Sequence, residues 1–202
     1  MTERAAGHGT IELVVGPMFS GKSTELGRRI RRMRAARKQW LPLTYKGDNR
    51  YFGNEEVMGT HDRESFPARK VTRLSEVFDD DEELRTASCV VVDEGQFFDD
   101  LAAQIWHWAF ELHKDVIVGA LNSTFQRRPF DTVSPLYAMA ASIQHLTAVC
   151  VCCGQDAPFT KRLPPATPDD DADADANAIV LVGGAERYEA RCGRCFDASD
   201  AK

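Results

Sequence analysis

The sequence contains no apolar run of the roughly 18 residues that a membrane-spanning helix requires. Its N-terminal residues also lack the apolar core of a secretory signal peptide. These two absences predict a cytoplasmic protein. With 202 residues, the chain is long enough for one α/β domain and a small appendage.

An excess of positive charge is also lacking, because the net charge is −6 and the isoelectric point is near 5.4. Proteins that bind nucleic acid usually carry a basic face that neutralises phosphates. Two acidic runs, residues 79–83 and 169–175, supply much of the negative charge, so this argument is weak. The arginines between positions 28 and 34 fit a solvent-exposed helix face better than a nucleic-acid patch.

Short β-rich runs alternate with segments of helical periodicity. The runs predict strands at 11–15, 41–45, 89–92, 116–121 and 146–149, and the periodic segments predict helices from Lys22 and at 71–78, 101–113 and 134–143. This alternation predicts a mostly parallel sheet with helices on both faces. Residues 46–64 form a long polar stretch of the kind that is often functional.

A phosphate-binding motif lies between the first predicted strand and the first predicted helix. Residues 16–23, Gly-Pro-Met-Phe-Ser-Gly-Lys-Ser, match the pattern G-x-x-x-x-G-K-[ST] completely. Glycines let several backbone N–H groups converge on phosphates, and the helix N-terminus adds partial positive charge. Lys22 is expected at the β- and γ-phosphates, and Ser23 at Mg²⁺. The flanking strand and helix disfavour the alternative of a chance glycine-rich turn.

Two adjacent acids follow the predicted buried strand at 89–92. Phosphoryl transfer needs a second group near the magnesium ion, and Asp93 is the candidate, acting through water. Glu94 can face the substrate instead, as the base that accepts the proton of an attacking hydroxyl. The alternative is a surface acid pair that begins a turn.

Four of the six cysteines form two C-x-x-C pairs, Cys150 with Cys153 and Cys192 with Cys195. Four thiolates at this spacing indicate a structural zinc site with tetrahedral coordination. The 38 residues between the pairs exceed the usual gap of about 15–20, so the metal would hold the base of a long loop. Four free thiols are the alternative. We interpret Cys152 as a spare thiol and Cys89 as a core residue.

Further short motifs occur in a consistent order. After the P-loop stretch at 16–26 come GDNRY at 47–51, THDR at 60–63, DEGQFF at 93–98, TFQR at 124–127, LTAVC at 146–150, TKRL at 160–163 and GGAERY at 183–188. Together they resemble the cellular-type (type II, zinc-containing) thymidine kinase family. The resemblance implies a P-loop (RecA-like) α/β fold with a small C-terminal zinc-ribbon domain and a lasso-like lid.

The resemblance also implies an activity, the transfer of the γ-phosphate of ATP to the 5′-hydroxyl of thymidine or deoxyuridine. Glu94 is then the catalytic base, and Arg50 stabilises charge on the transferring phosphate. The residues implied for ATP and magnesium are Gly16, Pro17, Met18, Phe19, Ser20, Gly21, Lys22, Ser23, Thr24, Asp48, Asp93 and Gln96. Those implied for the nucleoside are Met18, Phe97, Leu121, Thr124, Phe125, Ile179, Val180, Leu181, Val182 and Tyr188.

The domain organisation follows from these motifs. We expect an N-terminal tail (1–9), an ATP-binding domain (10–149), a zinc domain with the substrate lid (150–196) and a C-terminal tail (197–202). The stretch 164–178 is expected to be a disordered acidic insertion. The resemblance further implies a homotetramer that is inhibited by thymidine triphosphate. The negative charge and the lack of a long apolar run predict no nucleic-acid and no membrane partner.

Two other functions fit parts of the sequence. Residues 93–96 look like the DExx box of a helicase-like ATPase, but 202 residues cannot hold a second ATPase lobe. A zinc-ribbon module for nucleic acid is disfavoured by the acidic insertion, which would repel phosphates. Asn122 and Ser123 stand where the family pattern has Asp-Gly, which puts any metal contact at Asn122 in doubt.

Overall fold

A computed structural model of the protein describes residues 7–47, 57–59, 65–164 and 184–198. Within these ranges the strands are β1 (Ile11–Gly16), β2 (Trp40–Tyr45), β3 (Val57–Gly59), β4 (Ser65–Pro67), β5 (Arg69–Val71), β6 (Cys89–Val92), β7 (Asp115–Leu121), β8 (Ser142–His145), β9 (Ala148–Val149), β10 (Asp156–Ala157), β11 (Phe159–Arg162) and β12 (Tyr188–Arg191). The helices are α1 (Lys22–Ala35), α2 (Glu82–Thr86), α3 (Leu101–Trp106), α4 (Leu136–Met139) and α5 (Gly193–Asp197).

Six strands form the central sheet in the order β5-β2-β6-β7-β1-β8, and each neighbouring pair is parallel. Strands β6 and β7 consist mainly of β-branched residues that are buried, as expected of strands covered on both faces. The carboxyl ends of β1, β6 and β7 lie side by side. In open α/β sheets, ligands bind beyond such ends.

Two apolar clusters cover the two faces of the sheet. The larger includes the fully buried side chains of Leu13, Phe98 and Trp108, and the smaller includes Leu26 and Ile30 of α1. Helix α1 packs closely against the ring of Phe66 because its residue at the contact is Gly27. A Cβ added at Gly27 would lie 2.3 Å from that ring. These observations confirm the predicted fold class. No helix among the described residues is long and apolar enough to cross a membrane.

The arginine-rich surface of α1 is occupied in part by ion pairs. Arg28 and Arg29 both donate hydrogen bonds to the carboxylate of Glu25, and Arg29 also contacts Glu12 and Gln144 of the adjoining strands. The hydrogen bond from Arg28 is the largest influence on Glu25 and holds the pKa of that carboxyl at about 2. This part of the helix therefore binds its own sheet.

The predicted helix at 134–143 is correct only in its first part. Helix α4 ends at Met139, and Ser142–His145 forms the edge strand β8. The strand expected at 146–149 shrinks to β9, which pairs with β10 outside the central sheet. The helix expected at 71–78 is a 3₁₀ turn at Leu74–Glu76, and the one at 101–113 becomes π-helical at His107–Glu111.

The C-terminal part of the described chain is small. It consists of the β9–β10 pair, the β11–β12 pair and α5. Its apolar cluster contains Ala148, Cys150, Ala157 and Ala190. The domain boundaries given above remain predictions. Most of the acidic insertion and the lid, at 165–183, lies outside the described residues.

Candidate active site

The phosphate loop has the backbone geometry that the motif predicts. β1 ends at Gly16 and α1 begins at Lys22. Phe19 and Gly21 have φ angles of 66° and 81°, in the left-handed region. At Gly16 an added Cβ would lie 2.6 Å from both the carbonyl oxygen of Leu146 and the hydroxyl of Ser20, so only glycine fits there.

The Lys22 side chain is buried beside this loop, with 7% exposure. Its Nζ donates a hydrogen bond to the carbonyl of Pro17 at 2.8 Å, and the Ser20 hydroxyl donates to the same carbonyl at 2.8 Å. The ammonium group is therefore already held over the loop. Such an arrangement attracts phosphate oxygens.

Asp93 lies at the carboxyl end of β6 and is 3% exposed. Burial raises the pKa of Asp93 to about 7, with a further rise from the charge of Glu94, against lowering by the Ser23 hydroxyl, the Glu94 N–H and Lys22. The Glu94 N–H donates to Asp93 Oδ1 at 2.9 Å. A divalent cation at this carboxylate would favour its ionised form. Asp93 and Ser23 thus form a pair suited to magnesium.

Glu94 follows Asp93 in a left-handed conformation with φ 56°, which is unusual for a side-chain-bearing residue. Gln96 Nε2 donates a hydrogen bond to the Glu94 carboxylate. Gln96 is itself fixed by two hydrogen bonds. Its side-chain Oε1 accepts from the Leu121 N–H at 3.0 Å, and its backbone carbonyl accepts from the Thr132 hydroxyl at 3.3 Å. The glutamate is therefore oriented by a side chain that spans the ends of β6 and β7.

The candidate nucleoside-binding residues lie on several elements of the described chain. Phe97 stacks on Tyr45, with ring centroids 5.1 Å apart and an interplanar angle of 19°. Thr124 is buried, and its hydroxyl accepts from the N–H groups of Gln126 and Arg128 at 3.3 and 3.1 Å. Met18 is buried in the phosphate loop, Leu121 is the last residue of β7, and Tyr188 is buried in β12.

Asp48, Arg50 and residues 179–182 lie outside the described residues. The predicted nucleotide ligands from Gly16 to Thr24 run from the end of β1 into the first turn of α1. Asp93 and Gln96, with the predicted base Glu94, follow β6, whose carboxyl end lies on the same edge of the sheet as that of β1.

Two contacts near the site involve residues that the sequence analysis did not select. The Met18 N–H donates to the Thr160 hydroxyl at 2.9 Å, and Thr160 is 3% exposed. This bond joins the phosphate loop to β11 across 142 positions of sequence. Tyr45 stacks on Phe97 from the end of β2. The strand-end position of Tyr45 and the TKRL motif at 160–163 were the available signals.

Asn122, which stands where the family pattern has an aspartate, makes a contact within the chain. Its Nδ2 donates to the carbonyl of Pro158 at 3.1 Å, so the side chain contacts the small C-terminal part of the chain. Among the described residues, Asn122 Oδ1 and the Ser123 hydroxyl are buried without a hydrogen-bond partner. Asn122 therefore serves a contact between the two parts of the molecule.

The four predicted metal ligands come together. The Sγ atoms of Cys150, Cys153, Cys192 and Cys195 lie within 4.8 Å of one another, and those of Cys153 and Cys192 are 3.6 Å apart. A tetrahedral zinc–thiolate site, with Zn–S distances of about 2.3 Å, places sulfurs about 3.8 Å apart. The cluster therefore fits a metal ion of this size.

The thiol pKa values within the cluster are shifted in opposite directions. Burial raises the pKa of Cys150, but backbone N–H groups of Cys192, Cys152 and Cys153 outweigh it and bring the pKa to about 6. The pKa of Cys195 is raised, because its thiol shares hydrogen bonds with Cys192 and Cys153. Crowded sulfurs that share protons in this way release them to a bound metal. Cys152 is exposed and Cys89 is buried, as predicted.

A model of the family described as thymidine kinase matches residues 9–196. The chain belongs to the thymidine kinase family. The thymidine kinase of monkeypox virus is 40% identical over 188 residues, covering 93% of this chain and 97% of the viral one. The thymidine kinases of vaccinia virus (strain Ankara) and variola virus are 39% identical with the same coverage. The resemblance found in the sequence is confirmed, and nothing in these matches supports the helicase-like alternative.

Proposed function

We propose that this protein transfers the γ-phosphate of ATP to the 5′-hydroxyl of thymidine or deoxyuridine, giving dTMP from thymidine for DNA synthesis. Membership of the thymidine kinase family supports the substrate class. The observation that supports the chemistry is the pair of acids after β6, one buried beside Ser23 and the other oriented by Gln96. The loop between β1 and α1 supports ATP as the phosphate donor.

Glu94 acts as the base in this proposal, because the attacking hydroxyl must lose a proton as the new P–O bond forms. Gln96 holds the glutamate ready, and its own bonds to β7 prevent that carboxylate from turning away. Lys22 and the loop N–H groups bind the phosphates. Mg²⁺, when held by Ser23 and Asp93, would supply charge that offsets the phosphate oxygens.

Four further parts of the proposal come from the family resemblance. Arg50 stabilises charge on the transferring phosphate, and Asp48 lies near the metal and phosphates. Residues 179–182 and Tyr188 contact the nucleoside under a lid that excludes water. The lid matters because water competes with the nucleoside for the phosphate. Phe97, Thr124, Phe125, Leu121 and Met18 complete the pocket.

The cysteine cluster binds one structural Zn²⁺ in this proposal. All four ligands come from the chain, so no position is left for water or substrate, which is the arrangement of structural rather than catalytic zinc sites. We also propose that the enzyme is a cytoplasmic homotetramer inhibited by thymidine triphosphate. A reducing cytoplasm would keep the cysteines available for the metal.

A comparison of three reactions tests the activity. ATP consumption with Mg²⁺ is measured with thymidine, with no acceptor, and with single-stranded DNA. Consumption that requires thymidine, with dTMP as the product, is the expected result. Consumption stimulated by DNA instead would replace the proposal with the helicase-like ATPase, and ATP hydrolysis independent of any acceptor would also reject it. A panel of nucleosides then measures the preference between thymidine and deoxyuridine.

A further inference from the structure

The turn after β7 contacts the small C-terminal part of the described chain, β9 to β12 with α5, at three separate points; we call this part the cysteine domain. Asn122 donates to Pro158, and the guanidinium of Arg162 lies 5.6 Å from the centre of the Phe125 ring. The third contact belongs to Arg127, which reaches helix α5. Three contacts from one short turn suggest that its conformation depends on the cysteine domain.

Arg127 makes the most extensive of these contacts. Its NH2 and NH1 groups donate to the two carboxylate oxygens of Asp197 at 2.8 and 3.2 Å. Its guanidinium carbon also lies 4.6 Å from the ring centre of Phe196 and 5.7 Å from that of Phe159. A planar guanidinium suits this double contact, because it can form a fork with a carboxylate while stacking on a ring.

The helix that receives Arg127 is built on the metal-binding cysteines. α5 begins directly after Cys192, contains Cys195, and has only five residues. The Phe196 N–H donates to the carbonyl of Cys192 at 2.9 Å, and Arg191 donates to the carbonyl of Cys195 at 3.1 Å. A helix this short has little stability of its own, so its position depends on how the cysteines are held.

The backbone of Arg127 is tied to the candidate nucleoside pocket. Its φ angle is 59°, and its N–H donates to the carbonyl of Thr124 at 2.9 Å. The Thr124 N–H donates to the carbonyl of Arg128 at 2.8 Å, which closes the turn. Movement of Arg127 would therefore also move Thr124 and Phe125.

We propose that Arg127 is a positioning residue that links the four-cysteine cluster, through Phe196 and Asp197, to the Thr124–Phe125 wall of the nucleoside pocket. The nucleoside part of this inference rests on the proposed function. The link to the cysteine cluster does not, since it concerns only contacts within the chain. By linkage, loosening the contact should affect both ends.

The kinetic test compares Arg127→Ala with Arg128→Ala in the zinc-loaded enzyme. Arg128 is the matched control, because its exposed side chain has no partner among the described residues. The KM for thymidine should rise about fivefold in Arg127→Ala, as expected for losing one stacked and paired guanidinium. kcat and the KM for ATP should stay within about twofold, and Arg128→Ala should match the wild type. Arg127→Lys, which keeps the charge but not the plane, should recover part of the loss.

The second measurement is the rate at which zinc passes to a coloured chelator. Arg127→Ala and Asp197→Asn should release zinc several-fold faster than the wild type and than Arg128→Ala. Equal release rates for Arg127→Ala and Arg128→Ala, or an unchanged KM for thymidine in Arg127→Ala, would overturn the inference. A wild-type enzyme that does not phosphorylate thymidine would reject the proposed function instead, and the chelator comparison would still decide the link.

Discussion

The two parts of this molecule are each stabilised by a different kind of interaction. They are the sheet domain, which comprises the six-stranded sheet and the helices that cover it, and the cysteine domain. The sheet domain buries long apolar side chains on both faces, including Leu13, Phe98 and Trp108 at essentially zero exposure. The cysteine domain has a much smaller core, in which three alanines and Cys150 cluster and Tyr188 is the one large buried apolar side chain among the described residues. Apolar burial stabilises by about 25 cal/mol for each Å², so the first part can fold on its core alone. The second has too small a core for this, and under the proposed function it relies on a bound metal, as small domains with few apolar residues usually do.

The largest expected effect is a loss of turnover that leaves the stability of the sheet domain nearly unchanged. Glu94→Gln should lower kcat by about 10²–10⁴, because it removes the proton acceptor. ATP binding and the melting temperature should change little, since the amide has nearly the same size. Steady-state assays and a thermal scan measure both quantities. Unchanged turnover would remove Glu94 from the role of base.

The second prediction compares one substitution in each domain by its effect on unfolding and on zinc content. Leu13→Ala should lower the free energy of unfolding by about 2–5 kcal/mol, as expected for a large core side chain. Cys153→Ser should instead lower zinc content and raise the KM for thymidine, while the main melting transition of the sheet domain persists. Metal analysis and calorimetry on both variants test this. A main transition in Cys153→Ser as low as in Leu13→Ala would show that the domains do not differ as described.

The third prediction concerns the buried acid of the site. The pKa of Asp93 is near 7 in the fold against an ordinary 3.8. Between these values the unfolded chain ionises while the folded protein keeps its proton, so in the absence of divalent metal stability falls as pH rises through this window. Asp93→Asn should therefore raise the melting temperature of the metal-free enzyme by a few degrees at about pH 8, with little change at about pH 4, and should abolish turnover.

Magnesium provides the control for that experiment. The ion should stabilise the wild type at about pH 8 and have much less effect on Asp93→Asn, because the variant lacks the Asp93 carboxylate. Equal stabilisation of both proteins would place the metal elsewhere.

The smallest expected effect lies on the surface of the sheet domain. His107 contacts Asp79 at 2.8 Å and Glu111 at 2.6 Å, and the hydrogen bond with Asp79 is the main reason that its pKa is raised. A raised histidine pKa adds stability that is complete below about pH 6.5 and disappears as pH rises through the folded value. His107→Gln should remove this dependence, worth less than about 1 kcal/mol because the pair is mostly exposed. Melting temperatures at about pH 6 and 8 provide the measurement.

The parts of the site that the sequence predicted are those whose residues are close in the chain. The phosphate loop, the acids after β6 and each cysteine pair are local patterns with a fixed chemical meaning. The family and the fold class followed from them and are confirmed. The roles of single residues remain predictions, including those of Asp48, Arg50 and residues 179–182.

Features that depend on distant contacts were not predicted. Strand β8 is an exposed edge strand, so it lacks the apolar alternation by which strands are recognised. The bond between Met18 and Thr160 joins two segments that no spacing rule relates. Tertiary packing, rather than local propensity, determined each of these.

That last bond also bears on how the enzyme meets its two substrates. One end is an N–H group within the loop that would receive ATP, and the other is a hydroxyl on β11, which pairs with the strand β12 that carries Tyr188. Immobilising either segment lowers the entropy lost when the other is immobilised. ATP and thymidine would then each bind more tightly in the presence of the other, and by the same factor in both directions.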